Sequence, residues 1–362
     1  MPKRLLQTLG ILALLLALPA AAGASVAFTR LAAPYTWQSQ PLNPPIYVAN
    51  NDGSGARKLS VTGSDPQISP NGTMVAYLVT STPSYSSTLH IVTIATGVDV
   101  NSKTNCENPS WAPNSSAVAC DTTSKSLSGL IVITPVGKVT VITKTTPSAA
   151  VSWNSATWSP DSSTVAWQLD LYKSENAPFN PVLRGKRVDG TGTLLKLGNG
   201  DAPVWGPSRI AFVRYTGSDD NMLGQIWTVD PTAGASSAKQ LTHWKRATNS
   251  FANGPTPSLW TPDGTTIVGA IMGMDDDANS IAVNASSGKI TTLGASSTTN
   301  GYSNQPQAVS SDGAAVLLHY YSQPSATNKG YGMINNVSIT GTSSTLFLNH
   351  VTAITASADW KP

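Results

Sequence analysis

The sequence predicts an all-β fold: a seven-bladed β-propeller whose blades are four-stranded antiparallel sheets. Three observations predict it. One short phrase returns seven times along the chain: a run ending in Trp-Ser-Pro or a variant, a tight polar turn, then a strand of the Ile-Ala-Phe type. The Pro-like anchors of that phrase recur at roughly 43 to 55 residues, the length of a propeller blade. Short β-rich runs bounded by Gly, Pro, Asn and Asp fill the chain, and no stretch beyond the N-terminal leader shows sustained helical periodicity with caps.

The chain opens with Lys3 and Arg4, an apolar run from Leu5 to Leu18, and the small residues Ala20-Ala21-Ala22-Gly23-Ala24. Basic head, apolar core and small-residue cleavage region read as a secretory signal peptide over residues 1–24. The competing explanation is an uncleaved anchor, but the run is shorter than the roughly 20 residues a membrane span needs. Residues 25–362 then form a single propeller domain. Within it strand B of each unit is found at Val26-Ala27-Phe28, Val75-Ala76-Tyr77, Val118-Ala119-Cys120, Val165-Ala166-Trp167, Ile210-Ala211-Phe212, Ile267-Val268-Gly269 and Val316-Leu317-Leu318. Strand A, the inner strand, ends ahead of each B strand at the phrase itself. Clear copies are Trp158-Ser159-Pro160-Asp161 and Trp260-Thr261-Pro262-Asp263-Gly264. Strand C is of the Ile-Tyr-Val type, as at Ile46-Tyr47-Val48 and Ile226-Trp227-Thr228-Val229. Strand D follows a Gly-containing turn, as at Lys239-Gln240-Leu241-Thr242, and Asp-Gly between short strands is a hairpin signal.

The N-terminus has a B strand at Val26 with no A strand before it. The C-terminus has a copy of the phrase at Asp359-Trp360 with no B strand after it. Joining them makes one blade from both ends and closes the ring, which leaves only short, protected strand edges.

The phrase, its order and its spacing resemble the TolB-like β-propeller repeat over essentially the whole of residues 25–362. The resemblance implies an exported protein of the cell envelope that acts as an interaction scaffold. The sequence departs from TolB itself in counting seven blades rather than six, and in setting the repeats directly after the leader, where TolB carries an α/β domain. Related propellers precede the catalytic domain of prolyl-oligopeptidase-like peptidases, but no Gly-x-Ser-x-Gly elbow occurs here.

Composition narrows the partners. Charged residues are 11% of the chain, against about 25% in typical globular proteins. The formal charge of +3 falls to about +1 without Lys3 and Arg4, and no basic stripe for nucleic acid is present. Cys106 and Cys120 fall within one repeat, so in an oxidising compartment they are expected to form a structural disulfide.

Four antiparallel strands per blade put the A–B and C–D turns on one face and the B–C and D–A connections on the other. The long insertions fall on the latter, where binding residues concentrate. The expected binding residues there are Trp37, Trp153, Tyr172, His243, Trp244, Lys245, Arg246, Phe251 and Tyr302, because aromatic and Arg side chains anchor interfaces. Local packing under long loops explains the same aromatics equally well. Asp275, Asp276 and Asp277 are weak candidates for a hard cation, since they lack the spacing and Gly of an EF-hand. The four His, at 90, 243, 319 and 350, show no ligand spacing. Trp111, Trp158, Trp205, Trp260 and Trp360 are assigned to packing between blades, and Asp161, Asp263 and Asp312 to turns.

The expected function is a non-catalytic, secreted or periplasmic scaffold, monomeric and without a cofactor. It would bind a protein or carbohydrate partner through the long-loop face and the central funnel. The alternative is a metal-assisted lyase or hydrolase acting on a polysaccharide or peptide in that funnel.

Overall fold

The computed structural model describes residues 25–30, 41–123, 128–145, 151–171, 181–217, 222–246, 253–272, 278–294, 302–322, 331–349 and 351–356. The first three strands are β1 (Val26–Arg30), β2 (Pro45–Ala49) and β3 (Arg57–Thr62). Blade 2 follows as β4 (Ser64–Ile68), β5 (Met74–Ser81), β6 (Ser86–Thr93) and β7 (Asp99–Asn105). Blade 3 is β8 (Glu107–Trp111), β9 (Val118–Thr123), β10 (Ser128–Ile133) and β11 (Val139–Thr145). Blade 4 is β12 (Val151–Trp158), β13 (Thr164–Leu171), β14 (Val182–Arg187) and β15 (Leu195–Asn199). Blade 5 is β16 (Asp201–Trp205), β17 (Ile210–Thr216), β18 (Leu223–Val229) and β19 (Lys239–Gln240). Blade 6 is β20 (Pro255–Trp260), β21 (Thr266–Met272), β22 (Ala278–Asn284) and β23 (Ile290–Thr292). Blade 7 is β24 (Tyr302–Val309), β25 (Ala315–Ser322), β26 (Tyr331–Ser338) and β27 (Ser344–Asn349), and β28 (Val351–Ala356) ends the chain of strands. All seven sheets are four-stranded and antiparallel, and the one out of sequence order, β28-β1-β2-β3, closes the ring.

The closing strand corrects the sequence reading in one respect. Val26 pairs with Ala356, as Val118 pairs with Trp111 and Val165 with Trp158. Ala356 therefore holds the register position of the repeat's Trp. Trp360, expected at that position, lies beyond β28 and outside the described residues. The copy is read correctly once Ala356-Ser357-Ala358-Asp359 is aligned with Trp-Ser-Pro-Asp.

Each B strand is buried on both faces, which explains its continuous apolar run. Alternate residues serve opposite interfaces: Val26 and Phe28 pack with Leu317 and Leu348 of blade 7, while Ala27 packs with Ile68 and Val75 of blade 2. The core is accordingly divided into seven apolar clusters, each shared by two neighbouring blades. Burial of this kind, at about 25 cal/mol per Å² of apolar surface, is what holds blade to blade.

The phrase's polar residues lock the A–B turn. Ser159 donates to Asp161 Oδ1 at 2.6 Å and Ser163 N donates to the same oxygen at 3.0 Å. Thr261, Asp263 and Thr265 repeat this geometry in blade 6, and Ser69, Asn71 and Thr73 in blade 2. Cys106 and Cys120 are joined in a disulfide, both fully buried at the interface of blades 2 and 3.

Candidate functional site

The inner strands end around the ring axis, and there the residues of six blades enclose a recess of about 820 Å³. Its walls are Trp111, Trp158, Trp205 and Trp260 with Pro113 and Pro207 on the turns that follow the Trp. Ser110, Thr157, Ser258, Thr261 and Gln307 supply its polar side chains, and none of its lining side chains is ionisable. The indoles are fixed by bonds across the blade interface. Trp111 Nε1 donates to Gln67 O at 2.8 Å, Trp158 Nε1 to Ser110 O at 2.9 Å, and Trp260 Nε1 to Val204 O at 3.0 Å. Trp111 and Trp158 are buried, whereas Trp205 and Trp260 remain half-buried and offer ring surface to the recess. The Trp residues therefore pack between blades, as expected, and also wall the axial recess, which sequence reasoning did not assign to them. The available signal was their place at the end of the strand nearest the axis.

The inner strands start at the opposite end, on the long-loop side, and two of them, β8 and β16, start with an acid. Asp201 begins β16, and its charge, after burial, helps push the Tyr215 hydroxyl up to about 12. Glu107 begins β8 directly opposite Asp121 of β9. Burial pushes Asp121 up to about 7, Asn108 opposes this through a 3.1 Å hydrogen bond to Oδ2, and the Glu107 charge adds to the rise. Asp121 is 2% exposed and its Oδ1 has no hydrogen-bond partner among the described residues. The sequence signal was an acid in a B strand, at Val118-Ala119-Cys120-Asp121, where other repeats place neutral residues.

Of the expected binding residues, Trp37, Tyr172 and Phe251 lie outside the described residues, as do Asp275, Asp276 and Asp277. Trp153 and Tyr302 are not in loops. They lie in the inner strands β12 and β24, paired with Leu169 and Ser322. These strands run eight residues, longer than the phrase suggested, because a bulge between Asn154 and Thr157, or between Pro306 and Ala308, absorbs the irregular stretch.

His243 to Arg246 do follow β19 as a connection. The buried Gln225 side chain clamps it, accepting from Trp244 N at 2.8 Å and donating to Trp244 O at 2.7 Å. Arg246 is turned to structure, donating to Met222 O at 2.7 Å, while His243 and Lys245 face solvent. The structure brings these four together and places none of them at the recess.

His90 bonds Asp99 at 2.8 Å on blade 2, away from His243 on blade 5 and from His319 on blade 7. Among the described residues, no group of three His, Cys, Asp or Glu is placed to hold a metal ion. Nor is any helix among them long and apolar enough to cross a membrane.

Ring closure and blade number define the class: a seven-bladed β-propeller with a recess at its axis. No protein-family model matches the chain, and no curated protein sequence does. Solved structures do. TolB from Acinetobacter baumannii overlays 86% of this chain and 78% of its own at 15% identity and a TM-score of 0.52. An oligogalacturonate lyase in complex with manganese overlays 89% of this chain and 85% of its own at 11% identity, TM-score 0.54. A prolyl endopeptidase overlays 92% of this chain at 13% identity, TM-score 0.59, but this chain spans only 50% of its length. At these identities the likeness is one of fold.

Proposed function

We propose that the chain is an exported, non-catalytic propeller that binds a protein segment in the recess at the turn end of its channel. The observation that carries this reading is the lining: four Trp side chains and a set of prolines around 820 Å³, without an acid, base or thiol. Aromatic surface with scattered Ser, Thr and Gln suits desolvation of an uncharged, extended segment, and it offers no group to move a proton. Export rests on residues 1–24, whose basic, apolar and small-residue regions follow one another in signal-peptide order. Kinship of fold with TolB is consistent with a scaffold role, and fold by itself does not fix function.

The test is capture of partners from the secreted and envelope fractions with three proteins. One is the wild type, one carries Pro113→Glu and Pro207→Glu on the exposed recess rim, and one carries His243→Ala and Lys245→Ala on the long-loop side. Loss of the partner with the rim variant alone supports the recess. Loss with the loop variant alone moves the binding surface to the opposite face, and a soluble glycan that competes in place of protein makes the ligand carbohydrate. Equal capture by all three defeats the reading.

A further inference from the structure

The outer strand of blade 3 carries valine where other blades carry charge. β3, β15 and β19 bring Arg57 and Lys58, Lys196 and Lys239 to the rim of the ring, whereas β11 brings Val139 and Val141. Register fixes which way these valines face. Val139 and Val141 lie opposite Ile133 and Ile131 of β10, and Val100 of β7 lies opposite Ile91. The three isoleucines are buried together between blades 2 and 3, so the valines opposite them share the face of that cleft. Two tight turns enlarge the patch. Gly137 N donates to Thr134 O and Gly97 N to Thr93 O, each at 2.8 Å, which sets Val136 and Val98 beside glycines at φ 80° and 71°. A Cβ on Gly137 would stand 3.3 Å from Val100 Cγ1, so the turn of blade 3 leans on β7 and the patch is continuous.

Val136 is 83% exposed, Val98 58%, Val141 43% and Val139 36%. The other exposed large apolar side chains among the described residues, Leu42, Tyr85, Leu194 and Leu346, lie outside these strands and turns. Apolar side chains gathered in this way, unlike single exposed ones, mark an interaction surface. Its frame is basic. Residues 93–105 and 134–145 carry Lys103, Lys138 and Lys144, all exposed, and one acid, Asp99, which is bonded to His90 at 2.8 Å. Lys144 lies opposite Gly129, two residues from Ile131 on β10, and therefore on the valine face.

We propose that the outer cleft between β7 and β11 docks an extended acidic segment of a partner protein, with its aliphatic side chains on the valines and its carboxylates on Lys138 and Lys144. These lysines bracket β11 about 20 Å apart, the span of about seven extended residues. A strip that is apolar between cations complements a segment that is aliphatic inside and acidic at both ends. Other occupants fit less well. A second copy of this chain, related by a two-fold axis, would set lysines against lysines. Lipid surfaces are gripped by Trp, Phe and Leu, and the exposed apolar side chains here are valines. Lys186 Nζ already occupies the Ile142 carbonyl at 3.1 Å, so side chains rather than a continuous β ladder hold the segment.

The surface shares no residue with the recess, so its test is independent of the binding reading there. The probe is a fluorescein-labelled peptide, Glu-Glu-Leu-Ser-Val-Ser-Glu-Glu, followed by fluorescence anisotropy at low and high salt. One control peptide has Lys for every Glu, and the other has Ser for Leu and Val. The acidic peptide is expected to bind on the order of tenfold tighter than either control, and more weakly at high salt. Val136→Ser with Val141→Ser should lose that preference for the apolar peptide. Lys138→Glu with Lys144→Glu, which leaves the valines in place, should prefer the basic peptide, a reversal that a structural role would not produce. Pro113→Glu with Pro207→Glu should bind as the wild type does. An acidic peptide held no tighter than the controls, or equally by all variants, overturns the proposal. Anionic phospholipid vesicles, or self-association in sedimentation, that respond to the valine and lysine variants when the peptide does not would overturn it too, by giving the surface to lipid or to a second copy.

Discussion

The indole of Trp260 lies flat against Gly206 of the preceding blade while its Nε1 donates to Val204 O at 3.0 Å. A Cβ built on Gly206 would stand 2.5 Å from Trp260 Cδ2. The Ser of the phrase is replaced by Gly in Trp205-Gly206-Pro207 at the place where the next blade's ring needs the space. Gly206→Ala should therefore destabilise the protein by about 1–3 kcal/mol through overpacking. Urea unfolding would check it, and an unchanged midpoint would show that the ring can move aside.

The same stitch separates two kinds of contribution at Trp158. Trp158→Phe keeps an aromatic ring in the cluster with Ala112 and Ala156 but removes the donor to Ser110 O. It should cost about 1–3 kcal/mol, chiefly because a part-buried carbonyl loses its partner. Trp158→Ala should cost about 3–5 kcal/mol, since the ring is buried and a cavity is added. Comparable losses for the two variants would assign the stabilisation to the hydrogen bond instead of to packing.

How much of this was legible in the sequence depends on what each residue obeys. Val-Ala-Phe runs buried on both faces, Asp-Gly turns and a fixed period follow local rules, so blade number and ring closure could be read directly. Trp360 misled because an aromatic near a phrase-like Asp looks like the repeat's Trp, while register, a property of pairing, gives that place to Ala356. Trp153 and Tyr302 were assigned to loops because bulged strands break the period-two pattern on which strand recognition depends. The Glu107–Asp121 pair and the recess were not assigned, since both arise only when distant segments converge.

Ring closure yields a third prediction. Deleting residues 351–362 removes the strand that pairs with Val26 to Arg30 and exposes the apolar interface between blades 7 and 1. Deleting only 357–362 spares every described pairing of β28. The longer deletion should abolish cooperative melting or lower it by well over 10 °C, and the shorter should shift it by far less. Calorimetry on both would decide, and equal effects would place the latch beyond Ala356.

Ser162 carries a fourth. It sits at φ 61°, where blade 6 uses Gly264 at φ 69°, and its hydroxyl accepts from Asn114 N of the preceding blade at 3.1 Å. Left-handed backbone costs a non-glycine residue roughly 1–2 kcal/mol, and an intramolecular hydrogen bond returns about 0.5–1.5 kcal/mol. Ser162→Gly gives up the bond and the strain together and should be near neutral. Ser162→Ala keeps the strain and loses the bond, so it should be the less stable of the two by about 1 kcal/mol. A more stable alanine variant would refute the inter-blade bond.

The turn carboxylates make acid stability testable at a single position. Thr261 Oγ1 and Thr265 N both donate to Asp263 Oδ1, and these bonds, that of Thr261 first, hold its pKa below the usual carboxylate value. Asp161 is lowered in the same way, by Ser159 first and then by Ser163. A carboxyl depressed in the folded state contributes stability above its unfolded pKa of about 3.9 and loses it as pH falls through the folded value. The wild type should thus lose stability in this turn only in strong acid. The chain itself supplies the control, because Asn71 fills the same position in blade 2 and accepts the equivalent bonds through its amide oxygen. Asp263→Asn should keep the turn at pH 7 and flatten part of the acid loss, whereas Asp263→Ala should be less stable at every pH. Melting curves from pH 2 to pH 7 distinguish these outcomes, and an asparagine variant as acid-sensitive as the wild type would remove Asp263 from the account.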